Sequence, residues 1–175
     1  YGLPAQGVAI DDFADDNFDH SKLDFIGGAN LWAMSDRRPI TAASAQTWGR
    51  APSWGSQWKA WIRENVDRSH NSYIQKTTLP YEDNYVDLDP AAKDAFGRPV
   101  VRITAEYKEN ERKLVVFSQD KMEEWYRAAG ASDVQRAPVG GAMGASTHAY
   151  GGTRMGDNAE TNGVNRWVRS HEWPN

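Results

Sequence analysis

The residues of this chain best suited to chemistry stand close together at positions 146–158, in the stretch STHAYGGTRMGDN. It holds His148, the glycine pair Gly151 and Gly152, Arg154 and Asp157. Imidazole exchanges a proton near neutral pH, so His148 is a candidate for acid–base work. Six glycines lie from Gly140 to Gly156. Glycine collects where a backbone must take a positive φ or pass close to another group. A serine-hydrolase reading fails, because Ser-Thr-His carries no G-x-S-x-G elbow. A dinucleotide loop fails too. Gly141 and Gly144 fit the last two glycines of G-x-G-x-x-G, but Val139 stands where the first must be, and QRAP precedes it instead of a buried strand. Residues 140–147 therefore read as a Gly/Ala linker. On residue types alone, His148 is either a proton-transfer group or a loop histidine, with no partner visible in its neighbourhood.

Other candidates are weaker. Asp15, Asn17, Asp19 and Ser21 occupy alternate places of a calcium loop, but such a loop needs Gly at its sixth place and Glu at its twelfth. His20 and Ile26 stand there, so the acidic stretch DDFADDNFDH (11–20) is expected to be a solvated loop without metal, serving a cavity rim or a subunit contact. Trp54, Trp58 and Trp61 could stack on a sugar, yet at helical spacing they read as core. His20 and His70 sit among polar neighbours and are expected to be exposed, and His171 to pack or hydrogen-bond locally. No two histidines stand four apart and no H-E-x-x-H occurs, so no zinc site is expected.

The composition is that of an ordinary globular domain. Of 175 residues, 39% are hydrophobic and 25% charged, with eight Trp and seven Tyr arguing against disorder. A net charge of −4 gives no footing for nucleic acid. The absence of cysteine removes disulfides, thiolate metal sites and a Cys nucleophile. No apolar run approaches the ~20 residues of a membrane span.

Several elements must position these groups. SWGSQWKAWIRENV predicts a helix at about 54–68, with Ser53 as N-cap and Trp54, Trp58, Trp61, Ile62, Asn65 and Val66 near one face. SYIQKTTL (72–79) and NYVDL (84–88) read as strands, the second ended by DPAAKDAFGRP with Pro90, Gly97 and Pro99 as turn signals. VVRITAEY alternates, placing Val101, Ile103, Ala105 and Tyr107 on one face. NERKLVVFSQDKMEEWYRAAG reads as a long helix capped by Asn110 and closed by Gly130, with Leu114, Phe117, Lys121, Met122, Trp125 and Ala129 as its stripe. Residues 35–55 read as a long loop. The order of elements predicts an α+β fold, an antiparallel β-sheet with flanking helices.

The segment 147–175, THAYGGTRMGDNAETNGVNRWVRSHEWPN, resembles the C-terminal region of the glucose–methanol–choline (GMC) oxidoreductases, flavoenzymes that oxidise alcohols and sugars. His148, Gly151, Gly152, Thr153, Arg154, Met155, Gly156 and Asp157 match that pattern in order. GGTRMGDN and SHEWPN look most like the gluconate 2-dehydrogenase flavoprotein group. NYVDLDPAAKDAFGRPVVRI with NERK looks like its substrate domain, and DDFADDNFDH has a counterpart there. Ala159 and Gly163 replace a Pro and a larger residue of the family, which is expected to loosen the loop.

The resemblance implies a substrate-domain portion at 1–139 and the start of a catalytic, flavin-proximal segment at 140–175. It implies FAD as cofactor, His148 as general base, and Gly151 and Gly152 lying near the flavin. Arg154 and Asp157 would pin the loop rather than meet substrate. The family's nucleotide fingerprint belongs nearer the N-terminus, and its second catalytic residue, in a Gly-x-Asn-Pro-Thr-like stretch, lies beyond Asn175. The chain is thus expected to be an internal piece, inactive by itself, of an alcohol, polyol or sugar-acid dehydrogenase. That group implies a small subunit, a c-type cytochrome subunit and a periplasmic setting. Two alternatives stay open: an oxidase of the same family that uses oxygen, and a non-enzymatic sugar-binding or interaction module.

Overall fold

A computed structural model of the chain describes residues 7–34, 52–140, 143, 148 and 151–173. Residues 35–51 of the expected loop at 35–55 and most of the expected Gly/Ala linker lie outside the described residues. The fold is α+β, with antiparallel sheets and, among the described residues, two α-helices. It divides into two compact units, one from residues 1–78 with 109–139, the other from 79–108 with 140–175.

In the first unit, β1 (Val8–Ile10), β2 (Ala29–Met34) and β3 (Asn71–Lys76) form an antiparallel sheet in sequence order. Ala9 pairs with Trp32, and Trp32 with Tyr73. Alternation along β2 puts Ala29 and Leu31 on one face, and both are buried there. Helix α2 (Glu109–Ala128) lies against β2 and β3. Its buried residues are Glu111, Leu114, Ser118 and Met122, one helical stripe at spacings of three and four. Phe117 and Trp125 of the expected stripe are half-buried beside it. Ser118 satisfies its hydroxyl locally by donating to the Leu114 carbonyl at 2.7 Å.

Glu111 is fully buried although charged. Burial pulls the Lys76 ammonium of β3 below its ordinary pKa, and the charge of Glu111 opposes that shift. A carboxylate in such a place needs an opposite charge to tolerate its lost hydration.

Three expectations about this unit need correction. Helix α1 (Gly55–Asn65) starts after Trp54, with no side-chain cap from Ser53, and buries none of its residues. Trp54 lies outside the helix in extended backbone and is 80% exposed; Trp58, Trp61 and Ile62 are half-buried. The tryptophans share a helical spacing without entering the core. Asn110 does not cap α2, since it lies inside the helix. Its carboxamide instead reaches Ile26. Nor is the acidic stretch merely solvated. Its Phe13 and Phe18 meet Phe117 at 5.7 Å each, edge-on and stacked respectively, and Phe25 meets the same ring at 5.3 Å. The carboxylates between these rings hid an aromatic anchor.

The second unit contains a hairpin of β4 (Tyr85–Lys93) and β5 (Pro99–Thr104). Strand β4 continues past the expected stop at Leu88, because Pro90 sits where the register shifts, a place that needs no ladder N–H. Asp89 stitches this irregularity by accepting the Ala91 and Ala92 N–H groups at 2.8 Å each. Asp94 makes the turn, accepting from Phe96 and Arg98 N–H at 2.9 Å. Val86 pairs with Ile103 and Leu88 with Val101, and this apolar face is largely exposed. The opposite face carries the Asp87–Arg102 ion pair.

Candidate active site

The candidate base and its glycines belong to the second unit. His148 is exposed; residues 144–147 and 149–150 beside it lie outside the described residues. Gly151 and Gly152 both have φ +72°, which an L side chain resists, and among the described residues a Cβ on either would meet no atom within 4 Å. The Thr153 N–H donates back to the Gly151 carbonyl at 2.8 Å, a tight turn centred on Gly152.

Beyond this turn the chain becomes firmly held. The Arg154 guanidinium donates to the Thr161 carbonyl at 2.7 and 3.2 Å and lies 3.8 Å from Glu82. The Arg154 carbonyl accepts the Gly163 N–H at 2.9 Å. Met155 and Ser170 both bridge to Val164, so the segments around 155, 164 and 170 run side by side. Asp157 pairs with Arg166 at 2.7 Å. Arg154 and Asp157 thus fix the loop by polar contacts within it. Gly163 does not loosen it: a Cβ there would come within 2.9 Å of Thr153 Cγ2, so the small residue serves a close contact.

His171 is where sequence reasoning fell short. Its Nε2 lies 2.8 Å from the Gly156 carbonyl, across fifteen positions of sequence. A carbonyl only accepts, so Nε2 carries the hydrogen. Gly156 is itself hemmed in, since a Cβ there would lie 2.5 Å from the Asn162 side chain. Nothing local to RSHEW signals this bond, because it depends on how the loop returns.

The remaining candidates separate from this site by unit. The tryptophans of α1 and the acidic stretch belong to the first unit. There Asp15 accepts the Thr77 hydroxyl at 2.9 Å, and Asp19 accepts the Ser21 N–H at 2.9 Å. Among the described residues, no three His, Asp or Glu side chains gather as a metal ion would require. His70 is exposed as expected, but His20 is half-buried, tilted on Phe18 at 5.2 Å.

The family profile of the GMC oxidoreductases matches residues 80–175, more than half of the chain. The chain belongs to this family. It is 32% identical to the gluconate 2-dehydrogenase flavoprotein of Pantoea cypripedii, over 99% of this chain and 29% of that protein. It is 33% identical to the 2-methyl-1,2-propanediol dehydrogenase of Mycolicibacterium austroafricanum, over 86% of this chain and 27% of that protein. With the fructose dehydrogenase large subunit of Gluconobacter japonicus the identity is 25%, over 99% of this chain and 30% of that protein. The chain therefore spans less than a third of the length of these GMC relatives, all of which are named as dehydrogenases or as a subunit of one.

Proposed function

We propose that the protein to which this chain belongs is a flavin-dependent dehydrogenase of alcohols, polyols or sugar acids, with His148 as general base. The observation that carries the reading is the exposed His148 three positions before a glycine pair of positive φ. The relatives named flavoprotein and dehydrogenase support the class of cofactor and reaction. FAD is the form of flavin proposed, with Gly151 and Gly152 as the backbone it would lie against.

When bound, the flavin supplies the acceptor for a hydride. The chain's own part is the proton. As the carbinol C–H bond gives up its electron pair, an imidazole nitrogen of His148 takes the hydroxyl proton, and the C–O bond becomes a carbonyl. Such proton transfer is typically worth ~10²–10⁴-fold in rate. Its benefit grows as the O–H bond weakens, so it belongs to the transition state and appears in kcat.

The relative named as a large subunit supports assembly with further subunits. We extend this to a small subunit and a c-type cytochrome as electron acceptor, in the periplasm. The test is His148→Ala in the full-length flavoprotein, read by anaerobic flavin bleaching. A loss of at least ~10²-fold in the bleaching rate, with little change in KM, is expected. A loss of less than about tenfold assigns His148 to structure instead.

A further inference from the structure

We propose that the apolar face of the β4–β5 hairpin is an internal docking surface, covered in the full-length protein by a part of the same polypeptide outside these 175 residues. Val86 pairs with Ile103 and Leu88 with Val101, on successive rungs of one face. The four aliphatic side chains form one block, 62%, 72%, 60% and 63% exposed in that order. Single exposed hydrophobics are ordinary on a surface, but a contiguous patch with a polar rim marks a contact. Both ends of the hairpin carry such a rim. Arg98 pairs with Asp94 at 3.2 Å beside the turn, and Lys108 with Asp83 at 2.6 Å at the open end.

The two faces of the hairpin have opposite chemistry. Between the two aliphatic rungs, Asp87 and Arg102 turn their ion pair to the other side. Strands alternate in this way when one face meets water and the other a core. Among the described residues the hairpin is a two-stranded sheet. A ribbon of two strands is marginal in water unless its apolar face packs on something. The residues thus specify a half-buried hairpin, and the face that should be buried is open in this chain.

Two observations choose the occupant. The first is the size of the patch. Its four side chains are far fewer than the about 20–30 residues a side that a stable protein–protein interface uses. A separate partner must also offset the translational and rotational freedom lost on association, whereas a neighbour on the same chain need not. The second is length. This chain corresponds to 29%, 27% and 30% of its three relatives, so chains of this family have ample sequence to supply a cover. The segment that fits is apolar where it meets the four aliphatics, because a charge placed there would lose its water without a partner. None of this depends on the role given to His148.

The experiment uses the full-length protein in two forms. In the first, leucine is replaced throughout by its nearly isosteric diazirine analogue, and mass spectrometry after illumination reads what the Leu88 peptide has joined. A cross-link to a peptide of the same polypeptide outside these 175 residues is expected. A cross-link to another segment within them, to a second copy or to a different subunit overturns the proposal, as does the water-quenched product alone. In the second form a single thiol is introduced by Val86→Cys, by Val101→Cys or, on the opposite face, by Thr104→Cys. The chain has no cysteine of its own, so each thiol is unique within these residues. Cysteine is itself a small apolar residue, which keeps the character of the face. Labelling of the thiol-bearing peptide is followed natively and in urea over a dilution series. Val86→Cys and Val101→Cys should label at least ~100-fold more slowly in the native protein than in urea, at every concentration, and Thr104→Cys within about tenfold of its unfolded rate. Fast native labelling at 86 and 101 overturns the cover, and protection that fades on dilution overturns the intramolecular occupant. Equal protection of Thr104→Cys overturns the one-sided burial.

Discussion

Asn110 holds the backbone of Ile26 with both ends of its carboxamide: Oδ1 accepts the Ile26 N–H at 2.7 Å and Nδ2 donates to the Ile26 carbonyl at 3.1 Å. The two residues are 84 apart in sequence. This clasp joins the chain just beyond the acidic stretch to the first turn of α2, next to the Phe25–Phe117 contact. Replacing Asn110 by leucine leaves a backbone donor and an acceptor without their partner. Both bonds are open to water, so a loss of about 0.5–1.5 kcal/mol follows in urea unfolding of the chain. Asn110→Asp keeps an acceptor and should lose less than Asn110→Leu. Equal stability of Asn110→Leu and the parent chain would show that water replaces the clasp at no cost.

The buried Glu111 and the partly buried Lys76 give a sharper contrast. Removing one charge of such a pair strands the other, at roughly 3–5 kcal/mol for full burial. Lys76 is only half-buried, so Lys76→Met should fall at the lower end of that range. Adding Glu111→Leu to Lys76→Met should restore much of the loss, because an apolar pair needs no compensation. Chemical denaturation of the single and double variants checks this. A double variant weaker than Lys76→Met alone would mean that Glu111 is anchored by something other than the charge of Lys76.

The particular hits and misses show which physics a sequence displays. Helix α2 was legible, because burying one face writes a local period into the residues; the alternation of β5 was legible too, although its apolar face is largely exposed. The glycines at 151 and 152 were legible as turn-makers, and the structure gives them positive φ. Asn110 misled, since a helix-start asparagine looks the same whether it caps or reaches across the fold. Phe13 and Phe18 were masked by the aspartates between them, and the tryptophans of α1 kept a core-like spacing without a core to enter. Pro90 looked like a stop because a register shift has no sequence mark. His171 shows the same limit at the candidate site, where its partner is fixed by a loop's return path.

The hairpin of the second unit should be acid-sensitive. Asp83 is held below the usual carboxylate range by the Lys108 ammonium, Asp87 by Arg102, Asp89 by the Ala92 and Ala91 N–H groups, and Asp94 by the Arg98 N–H. A carboxyl whose folded pKa is depressed binds its proton more readily when unfolded. Its stabilisation is therefore complete above the ordinary value of about 3.9 and is lost as pH falls through the lower folded values. Urea midpoints followed from about pH 5 to pH 2 should fall over the last units. Asp87→Asn with Asp94→Asn should flatten the curve. A midpoint constant across this range would show that these exposed contacts are screened away.

The 175-residue chain alone is expected not to retain FAD. Dinucleotide affinity comes chiefly from a Gly-rich turn that sets the pyrophosphate on a helix N-terminus after a parallel strand. No G-x-G-x-x-G occurs in the sequence, and both described sheets are antiparallel. After mixing and desalting, the flavin absorbance should stay with the small-molecule fraction. A yellow protein fraction with one flavin per chain would place the main cofactor site on these residues.

Val168 has a φ of +60°, in a backbone region that β-branched residues avoid. The turn around it explains why. Asn165 Oδ1 accepts the N–H groups of Trp167 and Arg169 at 2.9 and 3.1 Å, the Val168 N–H donates to the Asn165 carbonyl at 2.9 Å, and the Asn165 N–H donates to the Arg169 carbonyl at 2.9 Å. Four bonds closing so short a loop force one residue into the left-handed region. Val168 is largely exposed, so it has little packing to lose. Left-handed backbone costs a non-glycine residue roughly 1–2 kcal/mol, while glycine gives back about 0.5–1 through the freer unfolded chain. Val168→Gly should thus raise the unfolding free energy of the second unit by up to about 1 kcal/mol, and Val168→Asn should gain as well. Val168→Ala should gain nothing, because alanine keeps the Cβ that the φ penalises. A Val168→Gly variant weaker than the parent, with Val168→Ala unchanged, would show that the valine side chain is held by contacts that outweigh its strain.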